Sequence, residues 1–220
     1  MAPSKFAFAD ITEEQDRGPQ TFLIYGPPKV GKTTLLCEVP RLFILCPEEG
    51  LKGIDKPAPH FPRAPRNLIE FYEALEVFAS ANVGPERRFY HLAIDSVSWL
   101  SDMFAAVARA ENHTRNLDTD YKSAWGTVST LWDEFFAKVL AVKRRYGIHV
   151  WLVGHGEQRQ DSNAAGETWQ KWDLQLDKKP AALVRRSVDH IFFLNFSARL
   201  QKGKKGMRSV GQYTGRVIHT

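Results

Sequence analysis

Apolar residues recur along this chain in two rhythms. Mostly apolar runs lie at 21–25, 41–46, 89–94, 148–154 and 188–194. Runs this short, rich in β-branched and aromatic residues, predict strands buried on both faces, as central parallel strands are. Between them the spacing turns helical: Leu68, Phe71, Leu75 and Phe78 share one face within 67–81. Further helices are predicted over 33–38, 97–112, 123–146 and 179–186. Strands alternating with helices imply right-handed crossovers and a mostly parallel sheet. The proline-rich stretch from Lys56 to Pro65 breaks the pattern and predicts an irregular connection. Polar loops are expected around 112–121 and, at greater length, over 156–177. The resulting organisation is a lead-in over 1–20, one α/β domain over 21–196, and a basic segment over 197–220. Gly203, Gly206, Gly211 and Gly215 point to a hairpin in that last segment.

Composition narrows the class. A chain of 220 residues, 43% hydrophobic and 25% charged, suits one globular α/β domain with a substantial core. Met1–Phe6 begins no long apolar stretch, so neither a signal peptide nor a membrane span is expected. Cys37 and Cys46 follow no metal or redox spacing and suit a reducing, cytoplasmic compartment. The net charge of +5 is uneven: Arg199, Lys202, Lys204, Lys205, Arg208 and Arg216 face no acid within 197–220, which leaves −1 for the rest. A basic tail beside a near-neutral body points to a polyanion such as nucleic acid; the alternative is a tail that only solubilises.

One segment carries specific chemistry. Gly26-Pro27-Pro28-Lys29-Val30-Gly31-Lys32-Thr33 fits G-x-x-x-x-G-K-[ST], with a predicted strand before it and a helix after it. Backbone N–H groups can cradle a polyphosphate without side-chain ordering. Pro27 and Pro28 lack that group, so the donors run from Lys29 through Thr34. Gly31 permits the tight turn, Lys32 supplies a point charge to the β/γ oxygens, and the Thr33 hydroxyl is a hard ligand for Mg²⁺. Thr34 is placed to touch the α-phosphate, while Lys29 reads mainly as solvated.

Three further residues stand at predicted strand ends, where ligands bind in open α/β sheets. Asp95 follows Leu92-Ala93-Ile94 and is the candidate second Mg²⁺ residue; its alternative is the N-cap of the next helix. Glu48 or Glu49, after the 41–46 run, is the candidate base that orients an attacking water; its alternative is a solvated acidic turn. His155 ends the 148–154 run and offers a γ-phosphate sensor or a hydrogen-bonded structural residue. No N-K-x-D guanine signature and no Arg-rich kinase lid are present.

On these pieces the chain resembles the RecA-like P-loop ATPases of phages, the AAA-type nucleotide-binding proteins that include Sak-type single-strand annealing recombinases. The resemblance runs over about 20–196 through the phosphate loop, Pro47-Glu48-Glu49-Gly50-Leu51, Ala93-Ile94-Asp95-Ser96, Leu152-Val153-Gly154-His155, and Lys179–Leu183 with Val188–Ile191. It implies a three-layer P-loop fold, ATP and Mg²⁺ as cofactors, and assembly into a ring or filament. The family carries a Thr-Glu-Gly-Gly-like segment at Pro47–Gly50, which makes Glu48 the water-activating residue and leaves Glu49 as an extra acid. It also implies that His155 opens a mobile DNA loop over 156–177. There Arg159, Trp169, Lys171 and Trp172 would hold single-stranded DNA by stacking and charge, or the tryptophans would pack on their own domain. Lys178 and Lys179 become candidates for a cation supplied to the neighbouring subunit's site. The implied function is a Mg-ATP-dependent ATPase in phage-type recombination or annealing, working in the cytoplasm of a bacterial host, with a single-strand-binding protein as a possible partner. The rivals are a P-loop ATPase or kinase acting on a non-DNA partner and an ATP-binding module with negligible turnover.

Overall fold

The computed structural model describes residues 18–48, 50–114, 116–117, 121–201 and 210–220. In chain order the elements are β1 (Thr21–Gly26), α1 (Lys32–Cys37), β2 (Leu42–Leu45), α2 (Leu68–Ala81), β3 (His91–Asp95), α3 (Val97–Glu111), α4 (Tyr121–Tyr146), β4 (His149–Ser162), β5 (Thr168–Leu174), α5 (Lys178–Arg186), β6 (His190–Gln201) and β7 (Val210–His219). The sheet order is β2-β3-β4-β1-β6-β7, with β5 joined to β4. β2, β3, β4, β1 and β6 run parallel; β7 and β5 pair antiparallel to their neighbours. This is a mostly parallel α/β sheet flanked by helices on both faces. The strand bearing the phosphate loop and the strand ending in Asp95 are separated by β4.

The layers follow from strand alternation. Leu23, Leu92, Ile94, Val150 and Leu152 face α2, α3, α4 and α5, where Phe71, Phe104, Trp132, Phe135 and Val184 close the larger core. Ile24, Ile44, Ala93 and Val153 face the other way, onto Leu36 of α1, Val30 of the loop and Ala58 of the proline-rich segment. One six-residue helix and that irregular segment therefore form the thin third layer. The helix starts are locally encoded. The Asn67 side chain accepts the Glu70 amide at 2.9 Å, and the Ser96 hydroxyl accepts the Trp99 amide at 3.3 Å.

The expected polar loop over 156–177 is corrected by the structure. β4 continues through Ser162 and pairs with β5 from Gly156↔Leu174 to Ser162↔Thr168. Asn163 builds the turn: its side-chain oxygen accepts the amides of Ala165 and Glu167, each at 3.0 Å, and Gly166 sits at φ 83°. Most of the hairpin projects beyond the sheet, so its residues are polar and the alternation that marks a half-buried strand is lost. The expected hairpin of the tail is present as β6–β7, with a register shift at Ser197/Ala198. Lys202, Lys204, Lys205 and Arg208 lie outside the described residues.

Candidate functional site

β1 delivers its last residue, Gly26, onto a crowded spot. A Cβ there would overlap the Leu194 carbonyl of β6 at 2.0 Å, and a Cβ on Gly156 of β4 would itself lie only 3.0 Å from the Gly26 backbone. Only glycine fits, and the chain turns out of the sheet into the loop. Val30, fully buried beside Ile24 and Leu36, pins that loop to the core. Gly31 then takes a left-handed conformation (φ 94°, ψ 28°), which costs a residue without a Cβ little. Among the described residues, the amides of Gly31, Lys32, Thr33 and Thr34 have no acceptor; Leu35 is the first in the helix to find one, at the Gly31 carbonyl, 2.9 Å away. The Val30 amide makes a long bond of 3.5 Å to the Pro27 carbonyl, so it is partly spent within the loop. Lys29 and Thr34 are exposed on the rim.

Lys32 is 6% exposed. Its ammonium donates to the carbonyls of Gly26 at 2.9 Å and Pro27 at 3.0 Å, curling back over the loop. Burial lowers its pKa, and the carboxylates of Asp95 and Glu48 oppose that. Two loop carbonyls thus hold the cation beside the free amides.

β3 brings Asp95 to the same rim. The Thr33 hydroxyl donates to Asp95 Oδ2 at 2.7 Å, although the two residues lie far apart in sequence. Asp95 is 5% exposed, and burial raises its pKa against the Thr33 hydrogen bond and the pull of Lys32. The N-cap alternative falls away for Asp95, because Ser96 caps α3. A hydroxyl and a carboxylate in contact are hard oxygen donors, and they fit Mg²⁺.

Glu48 follows β2 and meets Asp95's neighbour. The Ser96 hydroxyl donates to Glu48 Oε1 at 2.7 Å, and His155 Nε2 lies 3.6 Å from Oε2. The His155 contact first, and then the Ser96 hydroxyl, hold the Glu48 carboxyl below its ordinary value although burial opposes them. Glu48 is therefore ionised at neutral pH. His155 continues β4 opposite Gly26, its own amide donating to Ser98 Oγ at 3.3 Å, and among the described residues its buried Nδ1 has no hydrogen-bond partner. The structure thus brings Gly26, Lys32, Thr33, Asp95, Glu48 and His155 onto one rim, at the carboxyl ends of β1, β2, β3 and within β4. Glu49 lies outside the described residues. Cys46 is also at the rim, but burial pushes its thiol up to about 12, so it is not a nucleophile.

The remaining sequence candidates are dispersed. Arg159 donates to Glu157 Oε1 at 2.6 Å and to the Leu176 carbonyl at 2.6 Å, which ties it to the hairpin base. Lys171 pairs with Asp161 across the hairpin at 2.6 Å. Trp172 packs on Phe193 of β6, with ring centroids 5.9 Å apart, whereas Trp169 is 46% exposed near the tip. Lys178 and Lys179 are exposed at the start of α5. Two residues near the site have no role in the sequence reading. Ser96 joins Glu48 to the start of α3, and its place directly after Asp95 was the available signal. Arg216 of β7 sets its guanidinium against Gly31, and no local pattern marks it.

Loop, buried lysine, Thr33–Asp95 pair and mostly parallel sheet are the features of a P-loop domain. Residues 18–219 match an AAA domain family, and the chain belongs to that family. No curated protein matches it in sequence. Among solved structures it is similar to the one titled "Crystal structure of the RadB recombinase", at 15% identity and a TM-score of 0.43, over 80% of this chain and 75% of that one. No helix among the described residues is long and apolar enough to cross a membrane.

Proposed function

We propose that the protein is a Mg-ATP-dependent ATPase of the RecA-like, Sak-type kind, acting on single-stranded DNA in recombination or annealing. One observation carries the nucleotide part: the 2.7 Å Thr33–Asp95 contact sits beside a loop whose amides from Gly31 to Thr34 are free. Bound there, Mg²⁺ would neutralise phosphate charge. Thr33 and Asp95 would hold it. Lys32 meets the β/γ oxygens, and the loop amides hold the remainder. Glu48, ionised and oriented by Ser96, takes the proton of the attacking water as the new bond to the γ-phosphorus forms and the bond to the ADP oxygen breaks. His155 touches Glu48 and faces the same space, which suits a residue that reports the γ-phosphate. A ring or filament of copies, cations from Lys178 or Lys179 in a neighbour, a single-strand-binding partner and a cytoplasmic setting belong to the same reading. So does the boundary of a basic segment near 197.

A second reading has its own support. Arg159 and Lys171 are engaged within the hairpin, leaving Trp169 as its exposed aromatic. That favours an ATPase driving a non-DNA partner. ATP turnover with and without single-stranded oligonucleotide separates the two. Stimulation that fades steeply with salt supports DNA; turnover indifferent to DNA at low salt removes it. Lys32→Ala is expected to abolish ATP binding in a folded protein, and wild-type affinity in that variant would remove the nucleotide assignment altogether.

A further inference from the structure

We infer that Arg216, on the C-terminal strand β7, is a phosphate-binding residue of the nucleotide site, contributed by the same chain; this rests on the nucleotide assignment above. β7 pairs with β6, and β6 pairs with β1, so the edge strand runs two places from the strand that carries the phosphate loop. Arg216 stands opposite Phe196 in that register. Its side chain reaches back across β6 to Gly31. A Cβ built on Gly31 would lie 3.2 Å from the guanidinium carbon, 3.3 Å from Nη1 and 3.5 Å from Nε. The missing side chain of Gly31 is what leaves that space open.

Among the described residues Arg216 has no carboxylate partner, since it appears in none of the ion pairs. It lies beside the stretch where Gly31, Lys32, Thr33 and Thr34 turn unpaired amides outward and where Lys32 is buried. Lys32 and Arg216 place two cations beside a set of unpaired amides. A polyphosphate bound there would meet both charges and the free N–H donors together. A planar guanidinium over the centre of the loop matches phosphate oxygens with two parallel N–H donors. Loop amides of this kind cradle the α- and β-phosphates. A cation over Gly31 therefore meets the β-phosphate, which ATP and ADP share and AMP lacks.

The test is equilibrium binding of ATP, ADP and AMP to wild type, Arg216→Ala and Arg216→Lys, with folding checked by circular dichroism. Arg216→Ala is expected to lose affinity for ATP and ADP by roughly 10- to 100-fold, the loss of one charge-assisted hydrogen-bonding group. AMP affinity stays unchanged, and Arg216→Lys recovers part of the loss because it restores the charge without the fork. Affinities for ATP and ADP within twofold of wild type in Arg216→Ala would overturn the inference. An equal loss for AMP would mark a general charge effect and would overturn it too. A wild-type protein that binds none of the three overturns the nucleotide assignment itself, which is a separate failure.

Discussion

Replacing Asp95 by Asn should make the nucleotide-free protein more stable while it removes Mg-dependent ATP binding. Asp95 is 5% exposed, and burial raises its pKa. An acid whose pKa is higher in the fold than in the unfolded chain binds its proton more tightly when folded. Its ionisation at neutral pH therefore weakens the fold, and the cost is recovered as pH falls toward the folded-state value. Burying an ion costs several kcal/mol. The hydrogen bond from Thr33, 2.7 Å long, returns about 1.5–3 kcal/mol, and the nearby Lys32 ammonium returns more. Asn keeps the shape and an acceptor for Thr33 but carries no charge. The net gain is about 1–2 kcal/mol, the part of the burial cost that Thr33 and Lys32 do not return. For a chain of this size each kcal/mol moves the melting temperature by about 2–4 °C, so a rise of roughly 2–8 °C is expected. Calorimetry in EDTA at pH 7.5 and at pH 5 measures it, and the gain should shrink at the lower pH. A melting temperature equal to or below wild type at pH 7.5 would show that Asp95 is not a buried charge held in place for a ligand.

Other perturbations test other links. Gly26→Ala sets a methyl against the Leu194 carbonyl, a backbone group that cannot swing aside as a side chain could, and should cost more than about 3 kcal/mol by urea titration. Gly126→Ala, in the second turn of α4 with open space around it, should instead stabilise by about 0.5–1 kcal/mol. His91 and His149 stack at 4.8 Å, and each accepts a hydrogen bond at Nδ1, from Trp151 Nε1 at 3.2 Å and from the Gln20 amide at 3.1 Å. Burial lowers both pKa values, with the neighbouring His149 and Lys143 charges adding to it. A base lowered in this way stabilises the fold above its unfolded value of 6.5 and loses that contribution as pH falls below it. The urea midpoint should therefore drop between pH 7.5 and 5, and a His149→Gln variant should show a shallower drop.

The sequence made the buried parts legible and the exposed parts obscure, for physical reasons. Central strands such as β3 are apolar on both faces, so Leu92-Ala93-Ile94 announces itself. α2 reads from Leu68, Phe71, Leu75 and Phe78, and Asn67 supplies its cap. The phosphate loop is a local motif, and local motifs survive without tertiary knowledge. The β4–β5 hairpin failed because solvent wets most of it; the Asn163-Ala164-Ala165-Gly166 turn was its one readable mark. Thr33 and Asp95 are expected at one metal ion from the sequence, but the contacts of Glu48 with Ser96 and His155 depend on strand order, which no spacing encodes. Arg216 is the extreme case. It was legible only as one charge in a basic tail, and its place over Gly31 exists only once β6 has been laid between β1 and β7.

The central claim is that this rim hydrolyses ATP with Glu48 as the base. Glu48→Gln tests it most directly, because glutamine keeps the size and an acceptor for Ser96 but cannot take a proton. The measurement is single-turnover ATP hydrolysis beside equilibrium ATP binding, for wild type and variant in Mg²⁺. Binding is expected to stay within about threefold and hydrolysis to fall by at least about 100-fold, the ordinary contribution of a general base. Hydrolysis by the variant at the wild-type rate would contradict it, as would a wild-type protein that binds ATP and never cleaves it.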